Sequence, residues 1–310
     1  MLRESVDYLG LEPGAVVLDG TLGGGGHAAA ILERTGPDGI LIGLDLDEDA
    51  RIAAGAALER YGDRVHIVRA SFRNLDAAAS ELGFQEIDAV LLDLGVSSHQ
   101  LDSRERGFRF GDAGEAKIPL DMRMDRSTGP SAAELLQTAS VDEMARWFRE
   151  YGELRGAGRL AHNIAEGREQ QPFRTTADLV RVVRDSRVGG GRRHNPATLV
   201  FQALRIAVND ELAALEQGLD AAVTLLRPGG RLVVIAYHSL EDRIVKHHIR
   251  AAAKGCTCPP QIPVCVCGGH ITLRPISKRA LAATPEEIAA NPRARSARLR
   301  AAERVEGQAA

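Results

Sequence analysis

The 310-residue chain has no run of about 18 apolar residues, so it offers no segment long enough to cross a bilayer as a helix. Its first residues also lack the apolar core of a secretory signal, and we therefore expect a cytoplasmic protein with no membrane partner. The net charge of −3 gives no overall attraction to nucleic acid. Any contact with RNA must come from local groups of cationic side chains.

Cysteine is also scarce, and all four copies lie in one short stretch near the C-terminal end. A disulfide framework for the whole fold is excluded, because such frameworks need cysteines spread along the chain. Two Cys-x-Cys pairs can hold zinc through four thiolates, but the more familiar spacing is Cys-x-x-Cys. We therefore predict no metal site and favour four thiols in a surface loop over a zinc site at Cys256, Cys258, Cys265 and Cys267.

The most informative feature present is a glycine-rich turn between an apolar run and an alanine-rich segment. Residues 16–19 end in Asp19, and four consecutive glycines, 23–26, precede His27. Glycine permits a positive φ and lets a ligand approach the backbone without meeting a Cβ. This order of strand, glycine turn and helix is typical of the first unit of a nucleotide-binding α/β sheet.

Strands alternate with helices at both ends of the chain, which predicts a parallel sheet with right-handed crossovers. Between them lie about a hundred residues of helix-like sequence without a comparable apolar strand. We predict an α/β domain formed by residues 1–103 and 211–310, interrupted by an all-helical insert at 104–210. The predicted strands are 16–19, 40–45, 65–68, 87–93, 231–236, 271–275 and 297–305.

Ligands of open α/β sheets bind outside the carboxyl ends of the strands, so the residues just beyond each strand should line one crevice. This set contains no lysine or arginine to hold a pyrophosphate. Its carboxylates suit a nucleoside cofactor with a cationic tail, and S-adenosylmethionine is such a cofactor. The residues in question are 19–27, Asp45, Ser71, Phe72, Asp93 and His238.

Several of these residues also have a purely structural interpretation. Asp19 and Asp45 can serve as turn acids or helix caps, and His27 can cap the helix that it begins. Phe72 can either cover an adenine ring or belong to the core. Asp93 is harder to assign to structure alone, since it ends an apolar strand just before a polar loop.

Six motifs, each several residues long, are spread along nearly the whole chain. They are 19–27, 93–102 with 105–108, 119–125, 194–198 with 201–206, 237–243 and 291–296. Together they resemble the RsmH (MraW) family of bacterial 16S rRNA cytosine-N4 methyltransferases. The chain departs from the family pattern at Leu154, where an acid is usual, and at Leu199, where arginine is common. Both positions lie in the predicted insert, so they bear on RNA contacts rather than on the cofactor.

The resemblance implies a class I methyltransferase fold, with a Rossmann-like, mostly parallel sheet and a helical insert that recognises RNA. It implies N4-methylation of a cytidine in the decoding centre, near the P site, of 16S rRNA. The implied partner is the small ribosomal subunit, with no DNA partner. The implied contacts with S-adenosylmethionine are Gly25, Gly26, His27, Asp45, Phe72, Asp93 and Gln100.

The cytosine N4 amine is a poor nucleophile, because its lone pair is delocalised into the ring. The enzyme must align it with the methyl group and provide an acceptor for an N4 proton. We predict that Asp93 or the loop 237–239 is that acceptor, with His238 as a candidate for taking the proton. The alternative is that His238 only forms hydrogen bonds within its loop.

Contacts with RNA are harder to predict, since the insert is nearly balanced in charge. Candidates for phosphate binding are the groups Arg104/Arg106, Arg192/Arg193 and Arg293/Arg295/Arg298/Arg300. Candidates for stacking on an unstacked target base are Phe108, Phe110 and Tyr237. Two other functions fit parts of the pattern, namely an NAD-dependent dehydrogenase and a non-catalytic RNA-binding protein of ribosome assembly.

Overall fold

The computed structural model describes residues 1–110, 118–189, 195–255, 258 and 269–309. The chain divides into two compact units, Met1–Gly95 with Leu212–Ala310, and Val96–Glu211. The first boundary falls after Gly95 and not at residue 103 as predicted. The difference arises because a short helix that the sequence did not predict, Ser98–Asp102, belongs to the second unit.

The helices and strands are numbered along the chain. The helices are α1 (Leu2–Leu9), α2 (Gly26–Arg34), α3 (Glu48–Leu58), α4 (Leu75–Glu81), α5 (Ser98–Asp102), α6 (Ala132–Thr138), α7 (Val141–Glu150), α8 (Ala157–Gln170), α9 (Thr176–Asp185), α10 (Pro196–Asn209), α11 (Glu211–Leu225), α12 (Ser239–Lys254) and α13 (Pro285–Ala290). The strands are β1 (Val16–Asp19), β2 (Ile40–Leu44), β3 (Val65–Val68), β4 (Ile87–Asp93), β5 (Leu226–Ala236), β6 (His270–Pro275), β7 (Leu281–Ala282) and β8 (Arg298–Ala309).

All eight strands belong to one sheet in the first unit, in the order β3-β2-β1-β4-β5-β8-β6, with β7 also paired to β8. Neighbours from β3 to β5 are parallel, whereas β8 runs antiparallel to β5, β6 and β7. This mostly parallel sheet confirms the predicted class I, Rossmann-like fold. The strand order reverses between β1 and β4, which is where such sheets hold their ligands.

Alternate residues of each central strand point to opposite faces of the sheet, and both faces are buried. One face packs with α1, α2 and α3 and includes Val17, Leu41, Leu91 and Val233. The other packs with α4, α11 and α12 and includes Leu18, Ile42, Val90 and Val234. A helix layer on each face therefore leaves only the strand ends open to a ligand.

The predicted tight turn at 227–230 is instead part of β5. Ile87 of β4 pairs with Leu226, whereas Ala89 pairs with Arg231, so the intervening residues form a bulge in the parallel ladder. Gly229 has φ of +83°, which glycine adopts without strain. The sequence missed the bulge because a Pro-Gly-Gly run reads equally well as a turn.

The second unit contains α5 to α10 around an apolar core of its own. Four of its described helices begin with a reciprocal capping box, at Ser97/Gln100, Ser131/Glu134, Ser140/Glu143 and Thr175/Asp178. Leu154 is buried in this core, where an unpaired acid would be costly. None of the described helices in either unit is both long and apolar enough to span a membrane.

Gly218 of α11 provides a test of packing in the first unit. A Cβ there would lie 2.7 Å from Phe72 Cδ2 and 2.9 Å from the Phe72 carbonyl oxygen. We expect Gly218→Ala to lower the free energy of unfolding by about 1–3 kcal/mol through overpacking. The matched control is Gly55→Ala in α3, where a Cβ meets only Ile67 Cδ1, at 3.9 Å.

The control should be neutral or stabilising by up to about 1 kcal/mol, because alanine favours helix over glycine. Urea unfolding followed by circular dichroism measures both variants. Equal effects of the two substitutions would show that Gly218 is not required for the contact between α11 and Phe72.

Candidate functional site

Asp19 ends β1 at the reversal of strand order, and its carboxyl group is almost fully buried. Its Oδ1 accepts a hydrogen bond from the Thr21 amide at 3.1 Å, while Oδ2 has no hydrogen-bond partner among the described residues. Burial, together with the nearby carboxylates of Asp93 and Asp45, raises the pKa of Asp19 to about 7. A buried carboxyl with an unused oxygen is suited to receive a cationic group.

The glycines between Asp19 and α2 differ in what they do. Gly25 is the N-cap of α2 with φ of +82°, so the turn itself requires glycine there. A Cβ on Gly24 or Gly26 would meet no described atom within 4 Å, so packing does not explain those two. They leave open space beside a helix N-terminus, whose first N–H groups have no partner within the helix.

Asp45 follows β2 and ties its loop to the glycine turn. Asp45 Oδ2 accepts a hydrogen bond from the Gly23 amide, and Oδ1 accepts one from the Asp47 amide, both at 2.9 Å. Burial raises the pKa of this carboxyl also. Each carboxylate oxygen has two lone pairs, so both can still accept from a ligand hydroxyl. Asp47 caps α3, as the sequence predicts.

Asp93 ends β4, next to β1 in the sheet, and three loops meet at it. Its Oδ1 accepts a hydrogen bond from the Tyr237 hydroxyl at 3.0 Å, and its Oδ2 lies 3.5 Å from His27 Nδ1. The Asp93 amide donates to Thr21 Oγ1 at 2.6 Å. Burial raises the pKa of Asp93, although His27 and Tyr237 oppose the shift. The loop 19–27 therefore joins Asp93 to Asp45.

His27 is the second residue of α2 and faces Asp93. Burial lowers its pKa, so the ring is neutral at physiological pH. Its Nε2 is buried and has no hydrogen-bond partner among the described residues. Like Asp19 Oδ2, this atom is a polar group that a bound molecule would satisfy.

His238 is the N-cap of α12 and faces Glu241. Its Nδ1 accepts a hydrogen bond from the Glu241 amide at 3.4 Å, and its Nε2 lies 3.0 Å from Glu241 Oε1. Glu241 Oε2 in turn accepts from the amides of Tyr237, at 2.8 Å, and His238. This capping box fixes the loop that carries Tyr237.

Glu241 is only 3% exposed, and sequence reasoning did not select it. The signal was present, because a polar residue followed three positions later by glutamate marks a capped helix start. Tyr237 was selected only for its loop and for base stacking. Its hydroxyl group instead orients Asp93, which no sequence pattern indicates.

Phe72 and Gln100 occupy different surroundings from the residues above. Phe72 is partly buried and packs on the core face that contains α11, while its Cβ also lies close to Gly20. Gln100 lies in the second unit, where it completes the capping box of α5 with Ser97. The roles predicted for both residues remain predictions.

Several candidates for RNA binding have other contacts. Arg106 is buried and donates to the carbonyls of Arg123 and Met124, so the prediction that it binds phosphate is wrong. Phe110 packs against Phe201, with ring centroids 4.7 Å apart. Two of the candidate arginines and three of the four cysteines lie outside the described residues, namely Arg192, Arg193, Cys256, Cys265 and Cys267.

Sequence comparison finds a protein family and curated relatives that match nearly the whole chain. A family model described as the MraW methylase family matches residues 1–305. A curated relative from Symbiobacterium thermophilum, named ribosomal RNA small subunit methyltransferase H, is 50% identical over 97% of this chain and 94% of its own. A relative of the same name from Trichlorobacter lovleyi is 51% identical over 98% and 97%.

Solved structures show a more remote likeness. A ribosomal RNA methylase from Streptococcus thermophilus aligns over 98% of this chain and 96% of its own, with 13% identity and a TM-score of 0.42. The fold assignment rests on the strand order and directions described above.

Asp19→Asn tests the cost of burying this carboxyl. The native pKa is raised from 3.8 to about 7, so the carboxyl contributes stability below pH 4 that is lost as pH rises towards 7. Asparagine does not titrate, so above pH 7 the variant should be the more stable, by up to about 4 kcal/mol at about 1.36 kcal/mol per pKa unit.

Urea unfolding at pH 5 and pH 8 measures the difference, which we expect to be larger at pH 8. The matched control is Asp76→Asn, which changes an exposed acid on α4. A stability difference between Asp19→Asn and the native protein that is the same at both pH values would contradict the raised pKa.

Proposed function

The chain belongs to the MraW methylase family, and from this premise we propose that it methylates N4 of a cytidine in the decoding centre of 16S rRNA. Its methyl donor is S-adenosylmethionine, and its substrate class is ribosomal RNA, in line with the relatives. The finer proposal concerns the base, the atom and the place in the small subunit. It rests chiefly on Asp93, an oriented acceptor joined by one loop to the cofactor-binding carboxylates.

The residues of the first unit fit the cofactor. Asp19 Oδ2 and His27 Nε2 are buried polar atoms that need a partner. The open space at Gly24 and Gly26 admits a ligand close to the backbone. Asp45 is held in one orientation with lone pairs to spare, so it can accept from ribose hydroxyls.

The family assignment argues against the two alternative functions, an NAD-dependent dehydrogenase and a non-catalytic RNA-binding protein of ribosome assembly. A nicotinamide-dependent dehydrogenase would have to hold a pyrophosphate, and the strand ends supply carboxylates instead. A non-catalytic assembly protein would have no reason to bury three carboxyl groups around an open turn. Asp19, Asp45 and Asp93 all carry raised pKa values through burial, as functional carboxyl groups often do.

S-adenosylmethionine supplies an electrophilic methyl group on sulfur. Asp93 is oriented on one side by Tyr237 and approached on the other by His27, so its carboxylate is presented in a fixed direction. In that direction it can accept an N–H from the exocyclic amine and hold the nitrogen in line for transfer. Alignment of this kind contributes about 7 kcal/mol or more to lowering a barrier.

Asp93 is a better acceptor for the N4 proton than His238. Both ring nitrogens of His238 face Glu241, and Nδ1 already accepts a backbone hydrogen bond. His238 is therefore a positioning residue in this proposal, acting on Tyr237 through the capping box. In this proposal Asp93 accepts the proton at its carboxylate, and burial, by raising the pKa of this group, makes it a stronger base than an exposed carboxylate.

Substituting the two residues separates their roles. Asp93→Asn should lower the single-turnover rate of methyl transfer by about 100-fold or more, because it removes the acceptor charge. His238→Ala should lower that rate by less than about tenfold, and stability by about 1 kcal/mol through the lost cap. Quenched-flow transfer of labelled methyl groups to small subunits measures the rates, and calorimetry measures cofactor affinity. Equal losses of rate in the two variants would contradict this assignment and leave His238 as a candidate proton acceptor.

The target position itself is tested in cells. Deletion of the gene should remove one N4-methylated cytidine from the decoding centre of 16S rRNA, because the proposed activity places the methyl group there. Mass spectrometry of rRNA digests measures the modification, and complementation with native protein or Asp93→Asn provides the matched pair. Loss of a methyl group from another base, or from a ring carbon, would refute the proposed atom.

A further inference from the structure

Helix α12 carries a row of cations on its exposed side. Arg243, Lys246, Arg250 and Lys254 follow one another at intervals of three or four residues, and all four are exposed. At 3.6 residues per turn they fall within an arc of about 80° on the helix surface. The opposite side of α12 is buried in the core through residues such as Val245.

Among the described residues, Lys246, Arg250 and Lys254 of this row form no ion pair with the two acids of α12. Glu241 is buried and serves the capping box, and Asp242 accepts two hydrogen bonds from Arg300, at 2.7 and 3.0 Å. On the neighbouring α11, Asp220 lies 2.9 Å from His248 Nε2, which at 3.6 residues per turn is about 120° around α12 from the nearest member of the row. In a chain with a net charge of −3, the row is a local concentration of positive charge.

The row begins beside the candidate site. Helix α12 starts at Ser239, two residues after Tyr237, whose hydroxyl group donates to Asp93. From Arg243 to Lys254 the row extends about 16 Å along the axis, at about 1.5 Å per residue. That length corresponds to about five steps of a duplex strand at roughly 3.4 Å each.

We propose that this cation row binds the phosphate backbone of the substrate RNA next to the reacting nucleotide. The inference rests on the proposed function, since it takes RNA as the substrate. Evenly spaced point charges without interleaved acids match a phosphate backbone and carry no base specificity. The row therefore holds the strand while the site selects the base.

Arg300, which was selected from the sequence, fits this role less well because it is held by Asp242. Arg274 on the adjacent β6, which was not selected, is likewise paired with Glu303. Sequence reasoning looked for clustered arginines, whereas the members of the row are separated by two or three residues. The row can be recognised only after residues 239–254 are known to form a helix and the buried side of that helix is known.

The test uses Lys246→Gln/Arg250→Gln in the full chain, with glutamine chosen because it favours helix. Affinity for fluorescein-labelled protein-free 16S rRNA and for unmethylated small subunits is measured against salt concentration. The slope of log K against log salt should fall by about 1.4–1.8, since each phosphate contact contributes about 0.7–0.9. KM for subunits should rise about tenfold at low salt, with a smaller change in kcat and an unchanged Kd for S-adenosylmethionine.

The matched control is Arg34→Gln/Arg60→Gln, which removes two exposed cations, one at the end of α2 and one just after α3, on the other face of the sheet. Its salt slope should equal that of the native protein. An unchanged slope in the α12 variant would overturn the proposal. A loss seen with subunits but not with protein-free rRNA would also overturn it, because the row would then face a ribosomal protein.

Failure of the proposed function is recognised separately. It would appear in the native protein, as subunits that bind but gain no N4-methyl cytidine. The cation row is judged on the difference in salt slope between the two double variants, which does not depend on the position of methylation.

Discussion

The arrangement of the first unit depends on one loop that holds three carboxyl groups at the edge of a parallel sheet. In the loop 19–27, the Gly23 amide donates a hydrogen bond to the Asp45 carboxylate, and Thr21 Oγ1 accepts one from the Asp93 amide. Asp19 is itself the first residue of this loop. The strand order puts β1 between β2 and β4, so the ends of these strands are neighbours. Because the loop is anchored on both sides by hydrogen bonds between a backbone amide and a side-chain oxygen, the three carboxyl groups are held near one another.

Bringing these acids together opposes folding. Burial raises the pKa of Asp19, Asp45 and Asp93, so each ionised form is less stable in the native protein than in the unfolded chain. A fold selected for stability alone would place amides or apolar groups there. A cationic, hydrogen-bonding ligand reverses the situation, since it supplies partners to Asp19 Oδ2 and His27 Nε2. The site is thus destabilised when empty and favours a ligand carrying positive charge.

Sequence reasoning predicted the sheet well, and also the edge at which three acids meet, because both follow from local rules. Apolar runs that end in an acid placed Asp19, Asp45 and Asp93, and parallel strands bring their ends together. It failed where contacts between distant segments decide the outcome. The hydrogen bond from Tyr237 to Asp93 spans 144 residues, and the burial of Arg106 depends on carbonyl groups 17 and 18 residues further along the chain. No spacing rule reports such contacts.

The same distinction explains why net charge is a poor guide to what this chain binds. With an overall charge of −3, the sequence offers no preference between a cationic cofactor and an anionic polymer. The fold resolves this by separating the charges over a short distance. Buried acids surround the glycine turn, while the exposed cations of α12 begin just after Tyr237, which contacts Asp93. In the proposed mode of binding, opposite local fields on either side of one tyrosine would let a positively charged methyl donor and a phosphate backbone approach the same base without competing for one surface.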